Sequence, residues 1–336
     1  MFLHVQLDGR PDQAGERARE LAATEVDGLF TFEGQYDVFL PLAAAAATTD
    51  AELMTNVAIA LPRSPLHLAH AAYDLQLLSG GRFRLGLGSQ IRPHIESRYG
   101  STWSRPAARM RETVLAVRTI LEAWQHNRRL EFHGEFTKHT LMTPVFNPGP
   151  NPHGIPPIYL GALGPLMTRA AAEVADGLLV MPFHSVRHFR ERTLPAIDEG
   201  LRRAGRNRAD FDVVPQVIAA IGRTDSQLTT AGNGVRALLA FYGSTPAYLP
   251  VLEVEGRAEL QTRLNRLSKR MDVAAMVDLI DDDLLTTLAV RGTPEECAAE
   301  ILRRFSDVAQ RVCVYFPGYD APDADIRALA AALHAG

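Results

Sequence analysis

Two glycine-rich turns contain the residues of this sequence that are best suited to hold a ligand. The first lies in Leu-Gly-Leu-Gly-Ser-Gln at residues 85–90, and the second is Gly161-Ala-Leu-Gly164, which leads through Pro165 into a helix. Glycine lets a ligand approach the backbone closely, and a helix that begins with proline keeps neighbouring N–H groups free for an anion such as a phosphate. A tight turn without a ligand would use the same residues. The pair of turns favours a shared cofactor pocket.

Three titratable residues could supply acid–base chemistry close to these turns. His94 lies on the loop beyond the first turn, Glu33 ends a strand, and His184 ends another strand. Imidazole and carboxyl groups transfer protons near neutral pH when their surroundings adjust their pKa. Each residue also has a structural interpretation, as a solvated loop histidine or as a salt-bridge partner at a strand end. Arg63 and Arg92 could clamp an anionic tail or be ordinary surface charges.

The composition is that of a globular enzyme without a basic surface for nucleic acid. The chain has 336 residues, 46% hydrophobic and 22% charged, with a formal net charge of −4. We therefore expect no nucleic-acid partner. Cys297 and Cys313 follow helix and strand patterns and are predicted to be buried, and no His/Cys cluster predicts a metal. The longest apolar stretch, Phe39–Ala47, contains Pro41 and is too short to span a membrane, and we recognise no signal peptide. These features predict a cytoplasmic protein with no membrane partner.

Strand-like and helix-like segments alternate along the whole chain. Eight strands are predicted, each followed by a helix: residues 2–7, 28–32, 53–61, 83–87, 158–160, 177–181, 213–221 and 312–316. Residues 129–156 predict a small hairpin with a loop, and residues 244–290 predict an inserted, mostly helical segment. Eight βα units favour one α/β domain over residues 1–336, a (β/α)8 TIM barrel, rather than a doubly wound sheet. The ligand site of such a barrel lies at the carboxyl ends of the strands.

The glycines of the first turn suit a barrel interior better than a Rossmann fold. Gly86-Leu-Gly88 resembles the start of a dinucleotide fingerprint, but the third glycine is absent and the strand is fourth in the chain. Glycines at a crowded strand end would instead let a planar ring pass close to the backbone. This interpretation makes Gly88 a candidate cofactor contact.

Several segments make the sequence similar to the bacterial luciferase-like monooxygenase superfamily, in its branch of F420-dependent oxidoreductases. They are Glu33–Leu42, Arg63–Ala69, Leu77–Gln90, Ile158–Pro165, Ala172–Gly177 and Arg291–Glu296. The resemblance implies a luciferase-like TIM barrel with an insertion before strand eight, usually a homodimer, with coenzyme F420 at the carboxyl ends of the strands. The glycine pattern does not separate F420 users from FMN users, so FMN is the alternative cofactor.

The resemblance also implies positions for the cofactor contacts. It implies a non-prolyl cis peptide in strand three behind the cofactor ring, ring contacts after strand four, an acidic residue near the ring, and a phosphate-binding turn after strand five. The matching residues are, in that order, Asn56 and Val57; Ser89 and His94; Glu33; and Gly161, Ala162, Leu163 and Gly164.

The sequence departs from the family pattern at Gly34, where several F420 enzymes carry a histidine that handles protons. The candidates for a catalytic acid or base are then His94, Glu33 and His184, in that order. The leading hypothesis is hydride transfer between F420 and a small organic substrate. An FMN-dependent monooxygenase supplied by a separate reductase and a non-catalytic flavin-binding barrel are the alternatives. No residue pattern identifies the substrate.

Overall fold

A closed barrel of eight parallel strands forms the centre of the computed structural model, which describes all residues from 1 to 336. The barrel strands are β1 Phe2–Gln6, β2 Gly28–Thr31, β3 Glu52–Thr55, β4 Phe83–Gly88, β5 Ile158–Ala162, β6 Gly177–Val180, β7 Asp212–Ile221 and β8 Arg311–Tyr315. Each strand pairs with the next one, and β8 pairs with β1 to close the ring. The predicted TIM barrel is confirmed.

Helices connect the barrel strands along the outside. Those that follow β1 to β7 are α1 Ala14–Ala22, α2 Leu40–Ala46, α3 Pro65–Leu78, α4 Pro106–Gln125, α5 Pro165–Val174, α6 Leu194–Ala204 and α7 Asp225–Gly243. Short helical segments at Val186–His188 and Phe189–Thr193 precede α6, and Asp323–Ala335 follows β8. Helices α3, α4 and α5 each begin with a proline, whose fixed φ and missing N–H suit the first helical position. None of the helices is long and apolar enough to span a bilayer.

A small hairpin and a helical insertion interrupt the alternation, as expected. Phe132–His133 pairs antiparallel with Lys138–His139 in the segment that was predicted to form a hairpin. The helices of the insertion are Leu249–Val254, Ala258–Lys269, Val273–Val277 and Asp282–Leu288. The insertion thus precedes β8, and helix Pro294–Phe305 with its capping box at Thr293 leads from it towards that strand.

The end of the insertion differs from the prediction. Ala289–Gly292, whose first two residues fall in the segment 244–290 that was predicted to be mostly helical, is a strand that pairs with the carboxyl half of β7. β7 is ten residues long, and only its first residues pair with β6. The edge of β7 that β6 leaves unpaired forms hydrogen bonds with this four-residue strand. The strand is too short to show an alternating pattern of its own.

The third predicted strand is also divided. Instead of one strand over residues 53–61, β3 ends at Thr55, the peptide bond between Asn56 and Val57 is cis, and Ala58–Ile59 then pairs with β4. Gly86 permits this path, because a Cβ there would lie 1.9 Å from the carbonyl oxygen of Thr55. The Thr55 hydroxyl donates to Gly86 O at 2.8 Å and accepts from Gly86 N at 2.9 Å, so the close approach is hydrogen-bonded.

Charged side chains close the barrel at the amino ends of the strands. Glu52 pairs with Arg84 at 2.8 Å, with Arg311 at 2.6 Å and with the buried His4 at 3.2 Å. Burial alone would raise the pKa of Glu52, but hydrogen bonds from His4 and Arg84 outweigh it and hold that pKa well below its usual range. These ion pairs lie at the amino end of the barrel, whereas the ligand site of a TIM barrel lies at the carboxyl ends of the strands.

Candidate active site

The two glycine turns lie side by side at the carboxyl ends of adjacent strands. β4 pairs in parallel with β5, with Leu87 opposite Leu160. The half-buried side chain of Val57 covers both turns. A Cβ at Gly88 would come within 2.4 Å of Val57 Cγ2, and one at Gly161 within 3.1 Å of Val57 Cγ1. Val57 therefore packs against both glycines and joins the two strand ends into one apolar surface.

The turn at Gly161–Gly164 ends at an uncapped helix. Gly164 is the residue before α5, and no side chain caps the free N–H groups of the first helical turn. Its φ of −73° is ordinary for any residue, and a Cβ there would meet nothing within 4 Å. Ala162 and Leu163 are buried, whereas Gly164 is exposed, so the turn is open to the outside at the start of the helix. Free N–H groups and the positive end of the helix dipole together suit an anion.

Glu33 is engaged in a buried network at the end of β2. Its carboxylate accepts hydrogen bonds from Ile59 N at 2.8 Å, Arg63 Nη1 at 2.5 Å and Tyr99 hydroxyl at 2.9 Å. The side chain is only 7% exposed. Burial, and then the bond to Glu33, raise the pKa of Tyr99. Glu33 therefore fits the salt-bridge interpretation, and it ties the strand-two end to the segment before α3 and to the loop after β4.

Ser89 and His94 both lie on the loop that follows β4. Ser89 bonds within the loop, where its hydroxyl donates to Gln90 O at 3.1 Å. His94 is half-buried at the start of the π-helical turn His94–Arg98. That turn is fastened to the strand-two loop, because Arg98 donates to Gly34 O at 2.6 Å. His94 therefore lies on a segment that is anchored to the strand-two loop. Arg98 and Tyr99, a few residues further on, make the hydrogen bonds to that loop.

An aromatic ring occupies the space beside Gly34. A Cβ at Gly34 would lie 2.6 Å from Cε2 of Phe32. Phe32 follows Phe30, a barrel-interior residue, by two positions, so strand alternation turns it to the same side at the open end. It is 51% exposed, which is unusual for a phenylalanine. The site therefore presents an apolar ring where a histidine side chain would need room.

A chain of polar side chains crosses the barrel interior beneath Val57. Asn56 Nδ2 donates to the Tyr315 hydroxyl at 3.0 Å, and that hydroxyl donates to Gln216 Oε1. Asn56 and Gln216 are each 4% exposed, and Asn56 Oδ1 is buried without a partner. Sequence reasoning missed Tyr315 and Gln216. A signal was available: each is a polar residue two positions after an interior residue of its strand, Cys313 for Tyr315 and Val214 for Gln216, and so shares the interior face.

His184 is enclosed in the protein core. The residue is 4% exposed, and its ring packs against Phe189 and Phe305, with centroid distances of 6.0 and 5.8 Å. Nδ1 lies 2.7 Å from the carbonyl oxygen of Met181. Burial lowers the pKa of His184 to about 4. The expectation that His184 could act as a catalytic acid or base is corrected: the helices that cover the barrel enclose it as a neutral core histidine.

The structure therefore brings most of the predicted site residues together and places His184 apart from them. Glu33, Asn56, Val57, Gly88 and Gly161 lie on adjacent strand ends linked by contacts or hydrogen bonds. Ser89, His94 and the segment 162–164 continue from these ends. No group of three or more His, Cys, Asp or Glu side chains is placed to hold a metal ion.

A parallel barrel with glycine turns and an open helix start at one end defines a ligand-binding barrel of the TIM class. Comparison with known proteins places it more closely. The chain belongs to the luciferase-like monooxygenase family, whose sequence model matches residues 3–311. Its relatives and structural neighbours include proteins named for coenzyme F420 and a monooxygenase solved in complex with FMN.

Two relatives and one solved structure illustrate the family. An uncharacterized Mycobacterium tuberculosis protein is 44% identical over 317 residues, which are 93% of each chain. A second protein of that organism, provisionally named a coenzyme F420-dependent oxidoreductase, is 32% identical over 316 residues, 87% of this chain and 88% of the relative. The coenzyme F420 dependent tetrahydromethanopterin reductase of Methanopyrus kandleri has the same fold, with a TM-score of 0.81 at 21% identity over 98% of this chain and 96% of that one.

Proposed function

We propose that this protein is an oxidoreductase that uses coenzyme F420 to transfer a hydride to or from a small organic substrate. The observation that carries the proposal is the surface formed by Val57, Gly88 and Gly161, which continues into the open start of α5. The 32% identical relative named for F420 supports this cofactor over FMN.

The residues present fit a flat ring with an anionic tail. A side chain at Gly88 or Gly161 would collide with Val57, so glycine at both positions lets the Val57 side chain lie against the two strand ends. Gly164 and the first turn of α5 would hold a phosphate through backbone N–H groups. Ser89 and His94 border the same space. When bound, a deazaflavin supplies a ring carbon that accepts or donates a hydride.

The chain's own residues would shape the substrate side of the pocket. Phe32 offers an exposed aromatic face, which favours an apolar substrate and excludes water. Glu33 already accepts three hydrogen bonds, so we assign it to holding the loop and not to proton transfer. His94 is then the remaining candidate of the three for a proton donor or acceptor at the rim.

The proposal includes partners. We propose that the protein acts as a homodimer on a small-molecule substrate and that a separate reductase supplies the reduced cofactor. Sedimentation velocity would test the dimer, and turnover after adding a cofactor-reducing enzyme would test the supply of reduced cofactor.

A cofactor titration tests the central claim. Purified protein is titrated with F420 and, separately, with FMN, and binding is followed by cofactor fluorescence. We expect tighter binding of F420 and then hydride exchange with members of a panel of small alcohols, ketones and enones. Tighter binding of FMN together with oxygen consumption would instead favour a monooxygenase. Binding of neither cofactor would refute the proposal.

A further inference from the structure

The polar chain Gln216–Tyr315–Asn56 links two barrel strands to the bulge that carries Val57, a residue of the proposed cofactor surface. Gln216 is on β7, Tyr315 on β8, and Asn56 directly precedes Val57. The Tyr315 hydroxyl accepts from Asn56 Nδ2 at 3.0 Å and donates to Gln216. The Tyr315 ring is fixed as well, since it packs against Phe30 with a centroid distance of 4.8 Å.

The direction of these hydrogen bonds determines how Asn56 is oriented. Burial raises the pKa of Tyr315 well above its ordinary value, so the hydroxyl stays protonated and donates a hydrogen bond to Gln216. The single proton of the hydroxyl is then used, so the hydroxyl can only accept a hydrogen bond from Asn56. The donor must be the amide nitrogen of Asn56. Asn56 Oδ1 then points away from Tyr315 and has no partner in the chain.

Val57 depends on this arrangement through its neighbour. Asn56 N donates to Thr31 O at 2.6 Å, and its side chain is held by Tyr315, so the residue before Val57 is fixed at two points. Val57 has little freedom on its other side, because its side chain fits against the bare Cα atoms of Gly88 and Gly161. A change in Asn56 would therefore tilt the surface that Val57 presents.

We infer that Tyr315 and Gln216 are positioning residues, which act through Asn56 to set the Val57 surface on which the cofactor ring rests. The inference rests on the proposed function, since it requires a ring cofactor at this surface. Neither residue needs to touch the cofactor. Their contribution is a fixed geometry, which a site uses to bind a rigid ring without reorganising.

The matched control is a second tyrosine of the same region. The Tyr319 hydroxyl accepts from Ile221 N at 2.9 Å and donates to Ala219 O at 2.8 Å, so it also makes two hydrogen bonds near the end of β7. It has no bond to Asn56. Tyr315→Phe and Tyr319→Phe each remove one hydroxyl with two partners, and only the first releases Asn56.

The experiment measures the F420 dissociation constant, the emission spectrum of the bound cofactor and the melting temperature for the wild type and both variants. We expect Tyr315→Phe to weaken binding about threefold to tenfold and to shift the bound spectrum, the size expected for losing one or two neutral hydrogen bonds. Tyr319→Phe should lower the melting temperature similarly and leave binding and spectrum unchanged. Equal binding by Tyr315→Phe and the wild type, or equal weakening by both variants, would overturn the inference.

Variants of Gln216 keep the test decisive if Tyr315→Phe does not fold. Gln216→Glu preserves an acceptor for the Tyr315 hydroxyl and should retain the wild-type spectrum, whereas Gln216→Leu removes the acceptor and should reproduce the weakened binding. Indistinguishable binding by these two variants would contradict the positioning role. If the wild type binds neither F420 nor FMN, the proposed function fails before any variant is compared.

Discussion

The side chain of Val57 occupies the place that a side chain at Gly88 would need. An added Cβ at Gly88 would lie 2.4 Å from Val57 Cγ2, closer than real carbon atoms approach. The glycine of β4 and the valine of the strand-three bulge are thus complementary in shape. Their contact joins two strand ends into one surface, and the following predictions begin from it.

Gly88→Ala should displace Val57 and weaken cofactor binding. Overpacking of a buried site costs about 1–3 kcal/mol, so we also expect a lower free energy of unfolding. The double variant Gly88→Ala/Val57→Ala removes the colliding methyl group and should recover stability. Urea unfolding and an F420 titration measure the two effects. Unaltered binding in the single variant would show that this surface does not carry the cofactor.

Gly164→Asp should separate helix stability from anion binding. The position has an ordinary φ and open space around it, so aspartate fits and can cap α5, a gain of up to about 1 kcal/mol. The added negative charge should weaken F420 binding about tenfold or more by repelling its phosphate, and salt should reduce the difference. The control Gly164→Asn caps the helix without charge. If both variants bind F420 as the wild type does, the phosphate lies elsewhere.

Glu33→Gln should destabilise the protein. Because the carboxylate is 7% exposed and pairs with Arg63, neutralising it should lower the free energy of unfolding by about 1–3 kcal/mol. Glu20→Gln serves as the control, since the Glu20–Arg17 pair is exposed and should contribute under about 0.5 kcal/mol. Denaturant unfolding measures both. A Glu33→Gln protein with full stability and no turnover would point to a catalytic carboxylate instead.

His184 should make the protein less stable in mild acid. Its pKa in the folded state is lowered to about 4 by burial, so the native state excludes a proton that the unfolded chain binds below about pH 6.5. The contribution of neutral His184 to the free energy of unfolding is therefore fully present above pH 6.5. It declines as the pH falls towards 4, by about 2 kcal/mol at pH 5. His184→Gln should show a smaller difference in unfolding free energy between pH 7 and pH 5. The exposed His126→Gln should keep the wild-type difference.

The architecture was predictable because its signals are local. Strand and helix periodicities repeat within a few residues. Pro165 marks a helix start through its fixed φ, and Thr293 marks one through its side-chain cap. The order of these elements alone indicated eight βα units. Because parallel strands expose their carboxyl ends on the same side, the same order also placed Gly88 and Gly161 near each other.

The roles of the polar residues depend on the tertiary structure of the closed barrel. Glu33 meets its donors 26 to 66 residues away, and Asn56 meets Tyr315 across 259 residues, distances at which no local pattern operates. His184 and Glu33 were both candidates for a catalytic acid or base at a strand end, yet His184 is buried in the core and the Glu33 carboxylate already accepts three hydrogen bonds. Periodicity follows from backbone geometry within one element, whereas the partners, burial and pKa of a side chain depend on which other elements the fold brings to it.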